Sequence, residues 1–444
     1  MGKRVATVSL LAASALVVLA AFFVVARAHG ATPARTTSAT SVATVSTMAP
    51  VVADYRYRNA MITDLESDVR GNPNQLDTRM LAGQYLQRFR EAPDVGDLFR
   101  AVAEANLALH YQPRFNAAAD SMLASAYSAL HQFRLAKRYA EDVIQIIPWD
   151  DDARAGEASV DMELGRYAEA RKLLATSPGR TGASWDTVAA RYAELTGNLS
   201  AAREIIARAR VEADSNTYLA AENRAWYHWR EGELAFEAGD LAAAETKYNE
   251  ALIMFPHYWH ATAGLAKLYW AEKRWHESLA EATASVDVYP LVETLGYEYD
   301  AQLALHDKAA ASVTARLIAA IERIGNAQRI NDRLIAVFYS DHGIALGRAV
   351  TIARRDLSVR RDIYAEDTLA WALAMHGQWK AAREYAEDAS GLGTQDARLQ
   401  FHTAVIELRN GERARALRRL RYTLSLNAHF HPLYADQARR ILLH

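Results

Sequence analysis

An all-α solenoid of stacked antiparallel helix pairs is the fold this sequence predicts, and three observations predict it. From about Ala53 onward apolar residues recur with the helical period, and no stretch alternates as a half-buried strand would. A turn residue returns about every 34 positions. Small residues flank each turn at fixed distances on both sides.

The stretch AWALAMHGQWKAAREYAEDA, Ala370 to Ala389, shows the unit. Gly377 permits a tight turn because glycine adopts positive φ without strain. His376 is then a corner residue rather than a catalytic one, and Trp379 starts the next helix and packs inward. The same corner recurs at His131, Gly165, Gly197, Gly239, Lys273, Asp307, Gly343 and Gly411, at intervals of 34, 32, 42, 34, 34, 36, 34 and 34 residues once Gly377 is included.

Seven positions before these corners stand Ala124, Ala158, Ala190, Gly232, Ala266, Asp300, Ala336, Ala370 and Ala404; Asp300 alone is not small. Five positions after them stand Ala136, Ala170, Ala202, Ala244, Ser278, Ser312, Arg348, Ala382 and Ala416. Arg348 breaks the pattern, and Ala349 beside it suggests a one-residue slip. Antiparallel helices joined by a short turn approach closely where their axes cross, and small side chains allow that approach. Pro148, Pro256 and Pro290 fall where each second helix has to stop.

Local departures follow the same logic. Glu91–Asp97, EAPDVGD, lengthens the first turn. The 42-residue interval between Gly197 and Gly239 requires longer helices or an insertion near Val211–Thr217. Ala53–Arg70 reads as a leading helix and Leu433–Leu443 as a capping helix, which a solenoid needs at its open end.

The pattern resembles the tetratricopeptide repeat (TPR) family, a 34-residue helix–turn–helix unit with small residues at set positions and a late proline. Gly232, Gly239, Ala244, Tyr248, Ala251 and Pro256 stand at the signature positions of the best unit, Ala225–Pro256; Ala266, Tyr269, Trp275 and Pro290 follow in register. The resemblance covers roughly Asn74 to Ala428. It implies a right-handed superhelical solenoid of about nine to ten antiparallel helix pairs. The domain reading is a solenoid at 53–432, a C-terminal cap at 433–444, an N-terminal segment at 1–28 and a linker at 29–52.

That N-terminal segment contains an uncharged run, Val5–Ala26, behind Lys3 and Arg4. Its length suits one crossing of a bilayer core of about 30 Å. The preceding cations favour a cytoplasmic N-terminus and an extracytoplasmic solenoid. Ala26-Arg27-Ala28 also resembles a cleavage site, which would give a secreted protein, but the run is longer than an ordinary signal-peptide core. The expectation is therefore a single-pass membrane protein. Gly30–Pro50, rich in Thr, Ser, Ala and Pro, reads as a spacer.

Composition excludes several chemistries. The 444 residues carry a net charge of −2, with no basic excess to attract nucleic acid. The absence of cysteine removes disulfides, thiolate nucleophiles and Cys-ligated metals. There is no phosphate-binding loop, no G-x-S-x-G and no H-E-x-x-H. His257 and His260 could offer two metal ligands, but no carboxylate accompanies them. Asp150-Asp151-Asp152 suits a helix N-terminus. Arg413, Arg415, Arg418, Arg419 and Arg421 read as a solvated face or a surface for an acidic protein. No cofactor and no metal is expected.

First helices of a solenoid line its concave side. Register places Trp226, Trp229, Arg230, Glu233 and Phe236 there, joined by His260, Lys267 and Trp270 from the next unit and Tyr297 from the one after. Aromatics beside Arg, Lys and Glu suit an anchoring interface. The expected function is a non-enzymatic scaffold for protein–protein interaction, binding a peptide or partner helix in the groove. The alternatives are an enzyme with a site in the irregular stretch Leu291–Arg361, which holds Tyr297, Glu298, Asp300, His306, Asp341 and His342, or a purely structural or oligomerisation module.

Overall fold

The computed structural model describes residues 52–177, 182–325 and 330–444. The chain divides into two compact units, Met1–Ala53 and Asp54–His444, and the helix pairs belong to the second.

A leading helix, α1 (Val52–Gly71), precedes ten pairs. These are α2 (Gln75–Glu91) with α3 (Val95–Tyr111), α4 (Ala117–Ala129) with α5 (Phe133–Ile146), and α6 (Asp151–Glu163) with α7 (Tyr167–Ala175). Next come α8 (Ala183–Leu195) with α9 (Leu199–Ser215), α10 (Ala221–Glu237) with α11 (Leu241–Met254), and α12 (Trp259–Ala271) with α13 (Trp275–Val288). The series continues with α14 (Val292–Ala304) and α15 (Lys308–Gly325), α16 (Asp332–Asp341) and α17 (Leu346–Val359), α18 (Ile363–Met375) and α19 (Trp379–Ser390), and α20 (Ala397–Arg409) and α21 (Arg413–Leu426). A last helix, α22 (Tyr434–Leu443), packs on α21. No strand occurs among the described residues.

The turns follow the chemistry read from the sequence. Gly165, Gly197, Gly239, Gly343, Gly377 and Gly411 all take positive φ, and His131 and Lys273 do so without being glycine. The corner expected at Asp307 lies one residue earlier, at His306 with φ 65°. Asp307 instead accepts a hydrogen bond from the Ala310 N–H and caps α15. The flank moves with it: Ala311 is the buried small residue and Ser312 is exposed. The slip at Arg348 is present too, since Ala349 is fully buried and Arg348 is exposed. The long interval before Gly239 is taken up by α9 and α10, each 17 residues where most neighbours have 13 or 14. Pro148, Pro256 and Pro290 each follow the end of a second helix by two residues.

Between neighbouring pairs the small positions do the work expected of them. Tyr248 of α11 is fully buried and lies between Gly232 of α10 and Gly264 of α12. A Cβ on either glycine would stand 2.6 Å from the Tyr248 ring. The phenol donates to Glu233 at 2.7 Å, so the buried hydroxyl is satisfied.

The superhelix also closes on itself. The turns of the middle pairs rest on the loops that follow the late second helices. The Arg361 N–H donates to the Glu163 carbonyl at 3.1 Å, and the Ile363 N–H to the Tyr167 hydroxyl at 2.9 Å. Gln395 Oε1 accepts from the Leu199 N–H at 3.1 Å, and Asn427 Nδ2 donates to the Phe236 carbonyl at 2.7 Å. Ala158, Met162 and Leu195 share one apolar cluster with Ile363, Ala389 and Leu399. Charged groups are buried in the same seam: Arg360 pairs with Glu163 and Asp356 at 3.2 Å each.

No helix among the described residues is long and apolar enough to cross a membrane. This overturns the single-pass localisation expected from the sequence, together with the extracytoplasmic placement that depended on it. The longest described helix, α1, has 20 residues but carries Asp64, Glu66, Asp68 and Arg70 along its length. Val5–Ala26, the spacer Gly30–Pro50 and the candidate cleavage site at Ala28 lie outside the described residues.

Candidate partner-binding cavity

Coiling of the pairs forms a half-open cavity of about 1210 Å³. Most of its lining comes from first helices: α6, α8, α10, α12, α14 and α16 all contribute. Among second helices, α9 contributes Glu212 and Ala213 near its C-terminal end.

An aromatic wall runs along one side. Trp226 and Trp229 are three residues apart on α10, hence on one face, with ring centroids 6.0 Å apart. Trp229 contacts His260 of α12 at 4.6 Å; His260 stacks on Trp259 at 3.5 Å, and Trp259 reaches Tyr289 at 5.0 Å. Burial, reinforced by the charge of Arg90, pushes His260 down to about 3, so the ring is neutral at ordinary pH.

Of the nine residues placed on the groove by register, six line the cavity: Trp226, Trp229, Glu233, His260, Lys267 and Tyr297. The other three face elsewhere. Arg230 pairs with Glu194 of α8. Phe236 is buried beneath the Lys267 ammonium, which lies 4.6 Å from its ring centroid. Trp270 is only 5% exposed; its indole N–H donates to Asp300 at 2.8 Å, and its ring meets His431 of the adjacent superhelical turn at 4.5 Å.

Charge is largely paired within the cavity. Arg90 pairs with Glu222 at 3.1 Å, Lys267 with Glu233 at 2.6 Å, and Arg333 with Asp362 at 3.3 Å. Burial pushes the Glu222 carboxyl up, against the pull of Arg90. Asp152 and Glu212 also line the cavity and form no ion pair among the described residues. Three buried polar atoms on the lining residues have no hydrogen-bond partner among the described residues: His131 Nδ1, Asn223 Oδ1 and Trp259 Nε1.

Register alone missed Asn223, Trp259 and Tyr289 as lining residues. The sequence signal was available for Trp259, which opens α12 beside His260. Tyr289 lies in the loop after α13, where helical register no longer predicts direction.

The remaining candidates resolve into structural contacts. His257 sits exposed in a turn with φ 63°, while His260 faces inward, so they form no metal pair. Among the described residues, His228, Glu231 and Glu250 bring ligand atoms within 4.8 Å of one another. Lys247 already stands among them, 3.1 Å from Glu231 and 2.8 Å from Glu250, and supplies the positive charge. Asp150 caps α6 by accepting from the Ala153 N–H at 3.0 Å. Arg415 and Arg419 pair with Glu407 at 2.8 and 3.0 Å, leaving Arg413, Arg418 and Arg421 exposed.

In Leu291–Arg361 the six polar candidates do not converge on a pocket. His342 Nε2 meets Asp300 at 2.9 Å, and Asp341 accepts from Trp371 and Tyr434 at 2.8 Å each. His306 occupies its turn, and only Tyr297 reaches the cavity.

Residues 129–192, from the end of α4 into α8, match the family model described as tetratricopeptide repeat. That segment carries tetratricopeptide repeats. The TPR fold is typical of protein–protein interaction scaffolds, and TPR proteins are generally non-enzymatic. Comparison with curated proteins finds no match. Similar solved structures include the APC/C hetero-tetramer Cut9–Hcn1, with TM-score 0.34 and 12% identity over 87% of this chain and 93% of that one. Yeast Tom70 gives TM-score 0.34 and 11% identity over 87% and 96%, and the human IFIT1 dimer with PPP-AAAA gives 0.46 and 14% over 76% and 78%. These likenesses are too loose to carry function across.

Proposed function

We propose that this TPR protein is a non-enzymatic scaffold that holds a protein partner as an extended segment inside its superhelix. The observation that carries the reading is the aromatic wall of the cavity, Trp226–Trp229–His260–Trp259. Large, stiff aromatic rings give contact area at small entropic cost, which suits anchoring of a flexible segment.

Panning a random linear-peptide display library against the full chain tests this. The same panning against a Trp226→Leu/Trp229→Leu variant of unchanged circular dichroism is the control. The expected outcome is enrichment of linear sequences by the parent chain and their loss with the variant. Equal enrichment by both, or none by the parent, overturns the reading.

A further inference from the structure

We propose that the segment held in this cavity is basic, with an arginine or lysine side chain laid against Trp226 and Trp229. The proposal rests on the peptide-binding reading above and adds the chemistry of the partner.

Three features of the cavity carry it. The first is the wall itself. Indole faces attract a guanidinium or ammonium through the ring quadrupole, more strongly when water is displaced. Trp226 and Trp229 are both partly exposed, and no arginine or lysine lies over either ring among the described residues. Elsewhere the chain itself uses such contacts, as where Arg409 lies 5.2 Å from the Trp379 ring centroid.

The second is the state of the lining charges. All three lining cations already have carboxylate partners: Arg90 with Glu222, Lys267 with Glu233, and Arg333 with Asp362. An anionic segment would have to break one of these pairs to gain a contact, leaving a carboxylate behind unpaired. A cationic segment breaks none. It meets Asp152, Glu212 and Glu293, the three lining carboxylates without an ion pair among the described residues; Glu293 accepts from the Tyr297 hydroxyl at 2.9 Å.

The third is the neutrality of the wall. His260 stacks on Trp259 at 3.5 Å and touches Trp229 at 4.6 Å, so a charge on its ring would repel an incoming cation. Burial and Arg90 hold it neutral, with its pKa near 3. Arg90 is a permanent positive group acting on His260, and its ion pair with Glu222 offsets that charge.

Fluorescence anisotropy with the full chain and three labelled peptides separates the possibilities. The peptides share one Gly/Ser backbone and differ only in carrying Arg, Gln or Glu at alternate positions. The expected result is tightest binding of the Arg peptide. Its affinity should fall by about tenfold with Trp226→Leu/Trp229→Leu. It should fall several-fold with Glu212→Gln, and also when salt rises from about 0.05 M to about 0.5 M. A change at Arg418, on the outer face, should leave it untouched.

The two readings fail differently. If all three peptides bind alike and lose affinity with the tryptophan variant, the cavity reading stands and the basic partner is wrong. Tighter binding of the Glu peptide likewise overturns only the partner chemistry. If the Arg peptide binds but the tryptophan variant binds it equally, it sits on an outer acidic surface and both readings fall. Absence of binding by every peptide overturns both.

Discussion

Gly197 lies against the backbone of Gly393, far along the chain, so closely that a methyl group on Gly197 would overlap the Gly393 carbonyl. The same holds one pair earlier, where Gly165 meets the Arg361 carbonyl. These glycines serve two purposes at once. Each provides the positive φ of its own turn, and each lets the next superhelical turn settle onto it.

That double role can be measured. Gly377 takes φ 83° with nothing within 4 Å of its missing Cβ, so Gly377→Ala incurs the backbone strain alone. That strain is roughly 1–3 kcal/mol. Gly197→Ala, at φ 80°, incurs the same strain plus the overlap with Gly393. Chemical denaturation should show Gly197→Ala destabilising by clearly more than Gly377→Ala. Equal losses would mean that the seam contributes nothing.

The packing of Tyr248 predicts an asymmetry. Gly232→Ala forces a methyl into the ring, at a starting distance of 2.6 Å, and overpacking of this kind costs about 1–3 kcal/mol. Tyr248→Phe keeps the ring and loses only the bond to Glu233, worth about 1–2 kcal/mol. Tyr248→Leu in the Gly232→Ala background should recover part of the loss, because the smaller side chain makes room. Additive losses in the double variant would refute the contact.

The two tryptophans that register places alike should behave differently. Trp270→Ala removes a buried ring and its bond to Asp300, a change in the range of about 3–5 kcal/mol. Trp229→Ala acts on a partly exposed cavity wall and should leave the melting temperature within a few degrees. Thermal unfolding followed by circular dichroism decides it.

Glu366 predicts a pH dependence. Burial, with the charge of Asp388 adding to it, pushes its carboxyl up to about 7. The folded chain therefore keeps this proton over a range where the unfolded chain has lost it. Its contribution is fully present below the ordinary carboxyl range near 4.5 and is lost as pH rises through about 7. Glu366→Gln should raise the melting temperature relative to the parent at pH values near 8, and that advantage should vanish near pH 4. A constant difference across the range would contradict the shift.

Much of the fold was legible because it is local. The turn at Gly377 needs only a residue that accepts positive φ, and the crossing at Ala370 and Ala382 needs only small side chains; both requirements show within one 34-residue unit. One turn was misplaced by a residue. The repeat spacing put it at Asp307, and the structure has it at His306, because Asp307 caps the helix that follows.

The candidate site was legible only in part. Helical register placed Trp226 and Trp229 on the inner face, since direction on a single helix follows from spacing. Trp270 follows the same rule, yet it is covered by His431 from the neighbouring superhelical turn. No pattern near Trp270 announces a partner so far along the chain.

By itself, then, the sequence determined that this protein is a series of helix hairpins, where each bends, and which positions stay small. Those properties arise from contacts within one repeat or between adjacent ones. How tightly the series coils was left to the tertiary structure, and with it the inner cavity, the seam at Gly165 and Gly197, and the burial of Trp270. Coiling is the sum of small rotations between successive pairs, and residues that meet across the seam share no short-range periodicity.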